Sequence, residues 1–157
     1  MFEAEIKQSE AHTVVYLPMR GAYAQTPEGY GQLYGWIAQH GLTPAGMPTA
    51  VYLTMPSEVP ESEALWELWA PVAGDAAEQE PDASGVGVRL VPAATVASTM
   101  HVGPYETVAP TYDALRTWIA AQGYRPTGPP IEVYYSDPAT VAPEEYVTEI
   151  RIPIAAA

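Results

Sequence analysis

A carboxylate in the middle of an apolar segment is the residue of this sequence best placed to do chemistry. In EEYVTEIRIPI, residues 144–154, side chains alternate with the period of a strand, so Thr148 shares one face with three isoleucines and Glu149 lies on the other. A carboxylate that loses its water among apolar groups has a raised pKa, and a cation held over aromatic rings would offset that cost. Glu149 is therefore a candidate partner for an organic cation. A cross-strand ion pair with Arg151 or Arg89 is the structural alternative.

The same arrangement occurs twice, because the chain is an internal repeat. Residues 13–72 align without a gap to residues 95–154, and the identities include Gly21 with Gly103, Tyr23 with Tyr105, Trp36 with Trp118, Tyr52 with Tyr134 and Glu67 with Glu149. Self-similarity over most of the chain indicates duplication, with a repeat too long for a solenoid unit.

Each copy has the same predicted order of elements. A strand (13–19 and 95–101) leads through a glycine turn to a helix (27–40 and 109–122). Two strands follow (49–55 with 64–72, and 131–136 with 146–154), and a further strand, FEAEIK or VGVRLV, precedes each copy. This order predicts an α+β fold of duplicated strand-helix-two-strand modules with pseudo-twofold symmetry. Antiparallel sheets would carry helices on one face, with a ligand cleft between the halves. We expect a single domain, residues 1–157, made of repeats of about 1–72 and 85–157 joined by an acidic linker, 73–84.

The face of the last strand that turns away from the helix is not composed like a solvent-exposed surface. In the first copy Glu67 stands between Leu65 and Trp69 on that face, which is too apolar for an open antiparallel sheet. The partner repeat, a ligand or both should cover it. Eleven tyrosines and four tryptophans against one phenylalanine favour an adaptable, partly wet pocket over a simple core.

Charge and composition exclude several classes of function. Six basic against 19 acidic residues give a formal net charge of −13, so binding to nucleic acid or to an anionic membrane is disfavoured. No apolar run is long enough for a membrane span, and the first residues do not resemble a signal peptide, so a cytoplasmic location is expected. The chain has no cysteine, and its three histidines lack metal-ligand spacing. We expect neither a metal nor a cofactor.

The ordered set VGPYETVAPTYDALRTWIAAQG, IEVYYSDP and EYVTEIRIPI resembles the GyrI-like small-molecule-binding family, which includes the effector-binding domains of AraC-type and BmrR-type regulators. The resemblance covers nearly the whole chain. It implies that lipophilic compounds bind in a cleft between two halves, with an acidic residue of the last strand facing that cleft. By position this residue is Glu149. The implied aromatic wall is Tyr134 and Trp118, followed by Tyr105 and Trp69, with Glu67 as the counterpart of Glu149.

The chain begins almost directly with its first strand, so the resemblance is to a standalone member without a DNA-binding region. We therefore expect a protein that binds lipophilic, cationic or aromatic small molecules, for sensing or for sequestration. Whether it is an enzyme stays open, because standalone relatives include hydrolases of cytotoxic compounds. In that alternative Glu149 would be a general base acting beside Tyr134. A third alternative, by analogy, is a protein-interaction role such as inhibition of DNA gyrase.

Overall fold

The computed structural model describes residues 2–74 and 76–157, and the chain forms two compact units. Unit 1 contains Met1–Ser9 and Ala94–Ala157, and unit 2 contains Glu10–Ala93. Met1 of the predicted first repeat and Asp75 of the predicted linker lie outside the described residues.

Nine strands and two helices follow one another along the described part of the chain. They are β1 (Glu5–Ser9), β2 (His12–Arg20), α1 (Thr26–Gln39), β3 (Thr49–Tyr52), β4 (Leu65–Val72), β5 (Gly87–Val91), β6 (Ala94–Val102), α2 (Ala109–Ala121), β7 (Tyr124–Pro126), β8 (Ile131–Tyr134) and β9 (Val147–Ala156). Each predicted strand and helix is present within a few residues of its expected bounds, and β7 is an addition.

Unit 2 is an antiparallel sheet in the order β3-β4-β2-β5, with α1 packed against β2 and β4. The helix buries Leu33 and Ile37, which share one face at i and i+4. It also comes close to the sheet at Gly29, where an added β carbon would lie 2.5 Å from Leu68 Cδ1. Leu68 therefore belongs to the face that α1 covers, as its strand periodicity predicts.

Unit 1 repeats the plan with the order β1-β6-β9-β8, and β7 pairs with the last residues of β9. The helix α2 packs against β6 and β7 and buries Tyr112, Leu115 and Ile119. Tyr112 of this helix donates a hydrogen bond to Glu132, which lies opposite Ile150 in the sheet. The isoleucine face of β9 is therefore the one covered by the helix. Glu149 points to the opposite face of the sheet, which turns away from α2 and is the second face of unit 1.

Both helices end at a glycine in the left-handed region, where a residue with a β carbon would be strained. Gly41 has a φ of 68° and Gly123 a φ of 83°. The predicted helix ends are confirmed at both positions.

The first strand of each sequence repeat joins the sheet built by the other repeat. β1 precedes the first copy in sequence but pairs with β6 of the second, and β5 precedes the second copy but pairs with β2 of the first. The compact units thus differ from the sequence repeats by an exchange of one strand each. The α+β class, with antiparallel strands and a helix on one face of each sheet, is confirmed. The cleft between the halves stays a prediction.

Candidate functional site

Glu149 is a buried carboxylate surrounded by hydrogen-bond donors on the second face of unit 1. Its side chain is only 2% exposed. The donors are Ser98 Oγ at 2.6 Å and Lys7 Nζ at 2.5 Å to Oε2, and Tyr135 OH at 2.7 Å and Arg151 Nη2 at 3.0 Å to Oε1. Arg151 Nε also lies 2.9 Å from Oε2, a distance typical of an ion pair, although its N–H is not aligned for a hydrogen bond. Both carboxylate oxygens are therefore satisfied within the chain.

These contacts reverse the pKa shift that burial alone would produce. Burial raises the pKa of the Glu149 carboxyl, but the donors outweigh it, Arg151 first and Lys7 next, and lower the pKa to about 2. One carboxylate faces two side-chain cations, so this cluster carries a formal charge of +1. The structure contains the ion pair with Arg151 that the sequence offered as an alternative, but Arg151 lies on the same strand as Glu149, so that pair is not cross-strand. The cation that reaches Glu149 from another strand is Lys7, a partner that sequence reasoning missed.

Apolar side chains on the same face as this cluster reach solvent. Met100 lies opposite Glu149 in the register of β6 with β9, and Val102 lies opposite Val147, so both point to the second face. Met100 is 49% exposed, Val102 65% and Tyr135 42%. An apolar surface of this kind beside a satisfied polar cluster can accept a flat or bulky organic molecule without reorganising the core.

Unit 2 has an ion pair at the equivalent positions, but its cation is an arginine that also lies over an aromatic ring. Arg89 Nη1 donates to Glu67 Oε1 at 2.8 Å, and the guanidinium lies 4.1 Å from the centre of the Tyr16 ring. Trp69, at the position that corresponds to Arg151, donates its Nε1–H to Glu67 Oε1 at 3.0 Å. Lys7 and Arg89 occupy corresponding positions of β1 and β5, so the exchange of strands supplies the counter-ion of each glutamate.

Unit 2 also has a groove beside this pair, with a volume of about 380 Å³. Its lining residues are Tyr16, Glu78, Gln79, Glu80, Val88 and Arg89. The guanidinium of Arg89 already pairs with Glu67 and lies over the Tyr16 ring. The carboxylates of Glu78 and Glu80 therefore line a groove whose cation already has a partner.

Tyr134 does not share a face with Glu149. It lies opposite Thr148 on the helix-bearing side of unit 1, and its hydroxyl donates to Glu132 Oε1 at 3.0 Å. Its ring meets that of Tyr105 edge to face, with 5.6 Å between centroids, and Tyr105 stacks on Tyr146 at 4.9 Å. The structure therefore brings Tyr134 and Tyr105 together, but over a different carboxylate.

Glu132 is the buried acid that sequence reasoning missed as a candidate. It is 7% exposed and accepts hydrogen bonds from Tyr112 at 2.5 Å and from Tyr134. Burial raises the pKa of its carboxyl, although the two tyrosine hydroxyls and the nearby His101 act in the opposite direction. The signal was present in IEVYYSD, where strand alternation sets Glu132 on the same side as Tyr134.

Two predicted aromatic residues remain. Trp118 is half-buried on α2, which places it on the helix side of unit 1 rather than beside Glu149. Trp69 is buried in β4 and contacts Glu67, so these two predicted residues do lie together. Five of the six predicted residues thus fall into three groups, with Glu149 in one, Tyr134 and Tyr105 near Glu132 in another, and Trp69 with Glu67 in the third, while Trp118 lies on α2.

Among residues 2–74 and 76–157, no group of three or more metal-ligating side chains is placed to hold a metal ion. In the same part of the chain, no helix combines the length and the apolar character that crossing a membrane requires.

The family comparison places this α+β chain in the class of small-molecule-binding domains. The chain is a member of a defined family within that class. The model of the GyrI-like small molecule binding domain matches residues 74–155, and this chain belongs to that family. No curated protein matches the sequence.

Solved structures with low sequence identity share the fold. A cryo-EM structure of an EcmrR–DNA complex superposes with a TM-score of 0.84 at 20% identity over 99% of this chain, which spans 58% of that chain. A crystal structure of a hydrolase from Listeria innocua has a TM-score of 0.76 at 16% identity, covering 98% of this chain and 92% of that one. The structure of SAV2435 bound to tetraphenylphosphonium has a TM-score of 0.57 at 15% identity, covering 98% and 94%.

Proposed function

We propose that this protein binds lipophilic aromatic small molecules, cationic ones included, on the second face of unit 1, with Glu149 as the carboxylate floor. The observation that carries the proposal is the exposure of Met100, Val102 and Tyr135 around a buried carboxylate. Apolar groups give affinity through burial, and the polar cluster orients the ligand. Such binding suits the sensing or sequestration of xenobiotics.

Two further observations support the proposal. The chain belongs to a family described by small-molecule binding, and the similarly folded SAV2435 has been solved with tetraphenylphosphonium, a bulky lipophilic cation. Tyr135 combines an exposed ring with a hydroxyl held at 2.7 Å by Glu149, so the ring is fixed in place for a stacking contact.

Hydrolysis with Glu149 as the general base has less support. A carboxyl with a pKa of about 2 is a weak base at neutral pH, and its two oxygens already accept four donors. Tyr134, the expected helper, faces the other side of the sheet. We therefore favour a binding protein, although one similarly folded structure is a hydrolase.

Other expectations remain predictions drawn from the sequence. The net charge of −13 argues against contact of this chain with nucleic acid, while the similarly folded EcmrR is found in a complex with DNA. A cytoplasmic location and an interaction with DNA gyrase likewise rest on the sequence alone.

A binding assay with two surface variants tests the proposed site. We expect hydrophobic dyes to raise the Tm of the wild-type protein, and Met100→Glu with Val102→Glu to weaken that binding by at least about tenfold, because two charges replace the apolar contact. Leu90→Glu is the control, since Leu90 is 50% exposed, about as much as Met100, but lies on β5 in unit 2. Equal dye binding by both variants would place the ligand elsewhere.

A further inference from the structure

Lys7 covers a carboxylate that a cationic ligand would need. Its Nζ lies 2.5 Å from Glu149 Oε2, and Glu149 itself is almost completely removed from solvent. Lys7 lies on β1, an edge strand of unit 1 that pairs with β6 over five residues. A ligand approaching Glu149 therefore meets a residue of the N-terminal strand at the carboxylate.

The charges of the cluster oppose a second cation. Glu149 contributes one negative charge, while Lys7 and Arg151 contribute two positive ones. At contact distance these charges act more strongly than the distant acidic surface, because solvent ions screen charges separated by more than about 8 Å at physiological salt. The local excess of one positive charge disfavours a ligand cation as long as both side chains remain in place.

Lys7 is the more easily displaced of the two cations. Its side chain is 34% exposed, and a flexible four-carbon stem carries one ammonium group. Arg151 is 25% exposed, directs two nitrogens to the carboxylate and is two residues from Glu149 on the same strand. In unit 2 the corresponding cation is Arg89, which directs two nitrogens to Glu67 and lies over the Tyr16 ring. The single-point contact made by Lys7 is thus particular to unit 1.

From this geometry we propose that Lys7 is an internal counter-ion that a lipophilic cation must displace from Glu149, so that Lys7 determines the charge selectivity of the site. The inference rests on the proposed function. With Lys7 in place, neutral and anionic aromatic molecules bind without displacing a side chain. With Lys7 displaced, the ligand cation takes its position against the carboxylate.

Two ions of nearly the same shape and opposite charge test this proposal. Binding of tetraphenylphosphonium and of tetraphenylborate is measured by calorimetry for the wild type, Lys7→Gln and Lys7→Arg. For Lys7→Gln we expect about tenfold tighter binding of the cation and weaker binding of the anion, because the carboxylate has lost one of its two counter-ions. Lys7→Arg keeps the charge and should retain the wild-type ratio of the two Kd values or favour the anion further.

Arg125→Gln is the control for net charge, since Arg125 is exposed on β7 of the same unit. It should leave the Kd ratio within about twofold of the wild type. Lys7→Met, which keeps an unbranched apolar stem on β1, gives a second variant if Lys7→Gln is unstable. A Kd ratio that stays at the wild-type value in folded Lys7→Gln or Lys7→Met, both of which remove the charge, would overturn the role of Lys7. If neither ion binds the wild type or any variant, the proposed function itself fails.

Discussion

Glu132 and Glu149 lie on neighbouring strands of one sheet, point to opposite faces and have pKa values shifted in opposite directions. Val133 lies opposite Glu149 in the register of β8 with β9, so Glu132 faces the helix while Glu149 faces away from it. Burial raises the pKa of both carboxyl groups, but only Glu149 has cationic partners that reverse the shift. Two acids in adjacent strands are thereby held in different electrostatic environments.

Glu149→Gln should destabilise the protein by about 2–4 kcal/mol, because Lys7 and Arg151 would keep their charges without the carboxylate that compensates them. The free energy of unfolding in urea measures this loss. Combining Glu149→Gln with Lys7→Met should recover part of it, since one of the two uncompensated charges is then removed. If Glu149→Gln alone is as stable as the wild type, the ion pairs make no net contribution to the free energy of unfolding.

The lowered pKa of Glu149 predicts loss of stability in acid. The folded-state value of about 2 lies below the unfolded value of 4.5, so the contribution is fully present above about pH 4.5 and is lost as the pH falls towards 2. Unfolding free energies of the wild type and of Glu149→Gln, measured between pH 2 and 6, should therefore converge in acid. Curves that run parallel over this range would contradict the assignment.

Glu132→Gln should have the opposite pH signature. A raised folded-state pKa means that the native protein holds this proton more tightly than the unfolded chain, so stability falls as the pH rises from 4.5 through the folded pKa. The neutral amide avoids that loss and can still bond to Tyr112 and Tyr134. We expect the variant to match the wild type near pH 4 and to be the more stable of the two at pH 7. Destabilisation at both pH values would show that the tyrosines require a carboxylate.

The strand exchange predicts a specific crosslink. Gln8 of β1 lies opposite Thr95 of β6, and its Nε2 donates to Thr95 Oγ1 at 2.7 Å. Because the protein has no cysteine, Gln8→Cys with Thr95→Cys should form a single disulfide under mild oxidation. Mass spectrometry of a tryptic digest detects the linked peptides, and the same digest after reduction is the control. A pair that stays as free thiols under oxidant would contradict the pairing of β1 with β6.

Much of the local structure could be predicted from the sequence because periodicity and glycine conformation are properties of short segments. The alternation in VTEIRIPI set the isoleucines against the helix and Glu149 on the second face, as observed. The glycines at 41 and 123 marked the helix ends, and the repeat assigned the same elements to both copies. The same alternation placed Glu132 and Tyr134 on the face opposite to Glu149. The predicted site nevertheless grouped Tyr134 with Glu149.

The sequence by itself determined the α+β elements, their duplication and the face on which each side chain lies. Only the tertiary structure decided which side chains meet. Lys7 reaches Glu149 because β1 pairs with β6 of the other repeat, and Tyr112 reaches Glu132 because α2 packs over that part of the sheet. The physical reason is that strand pairing and helix docking are selected by packing over the whole unit, among segments far apart in sequence. The charge of Glu149 was visible in the sequence, whereas its compensation by Lys7 depends on the pairing of β1 with β6.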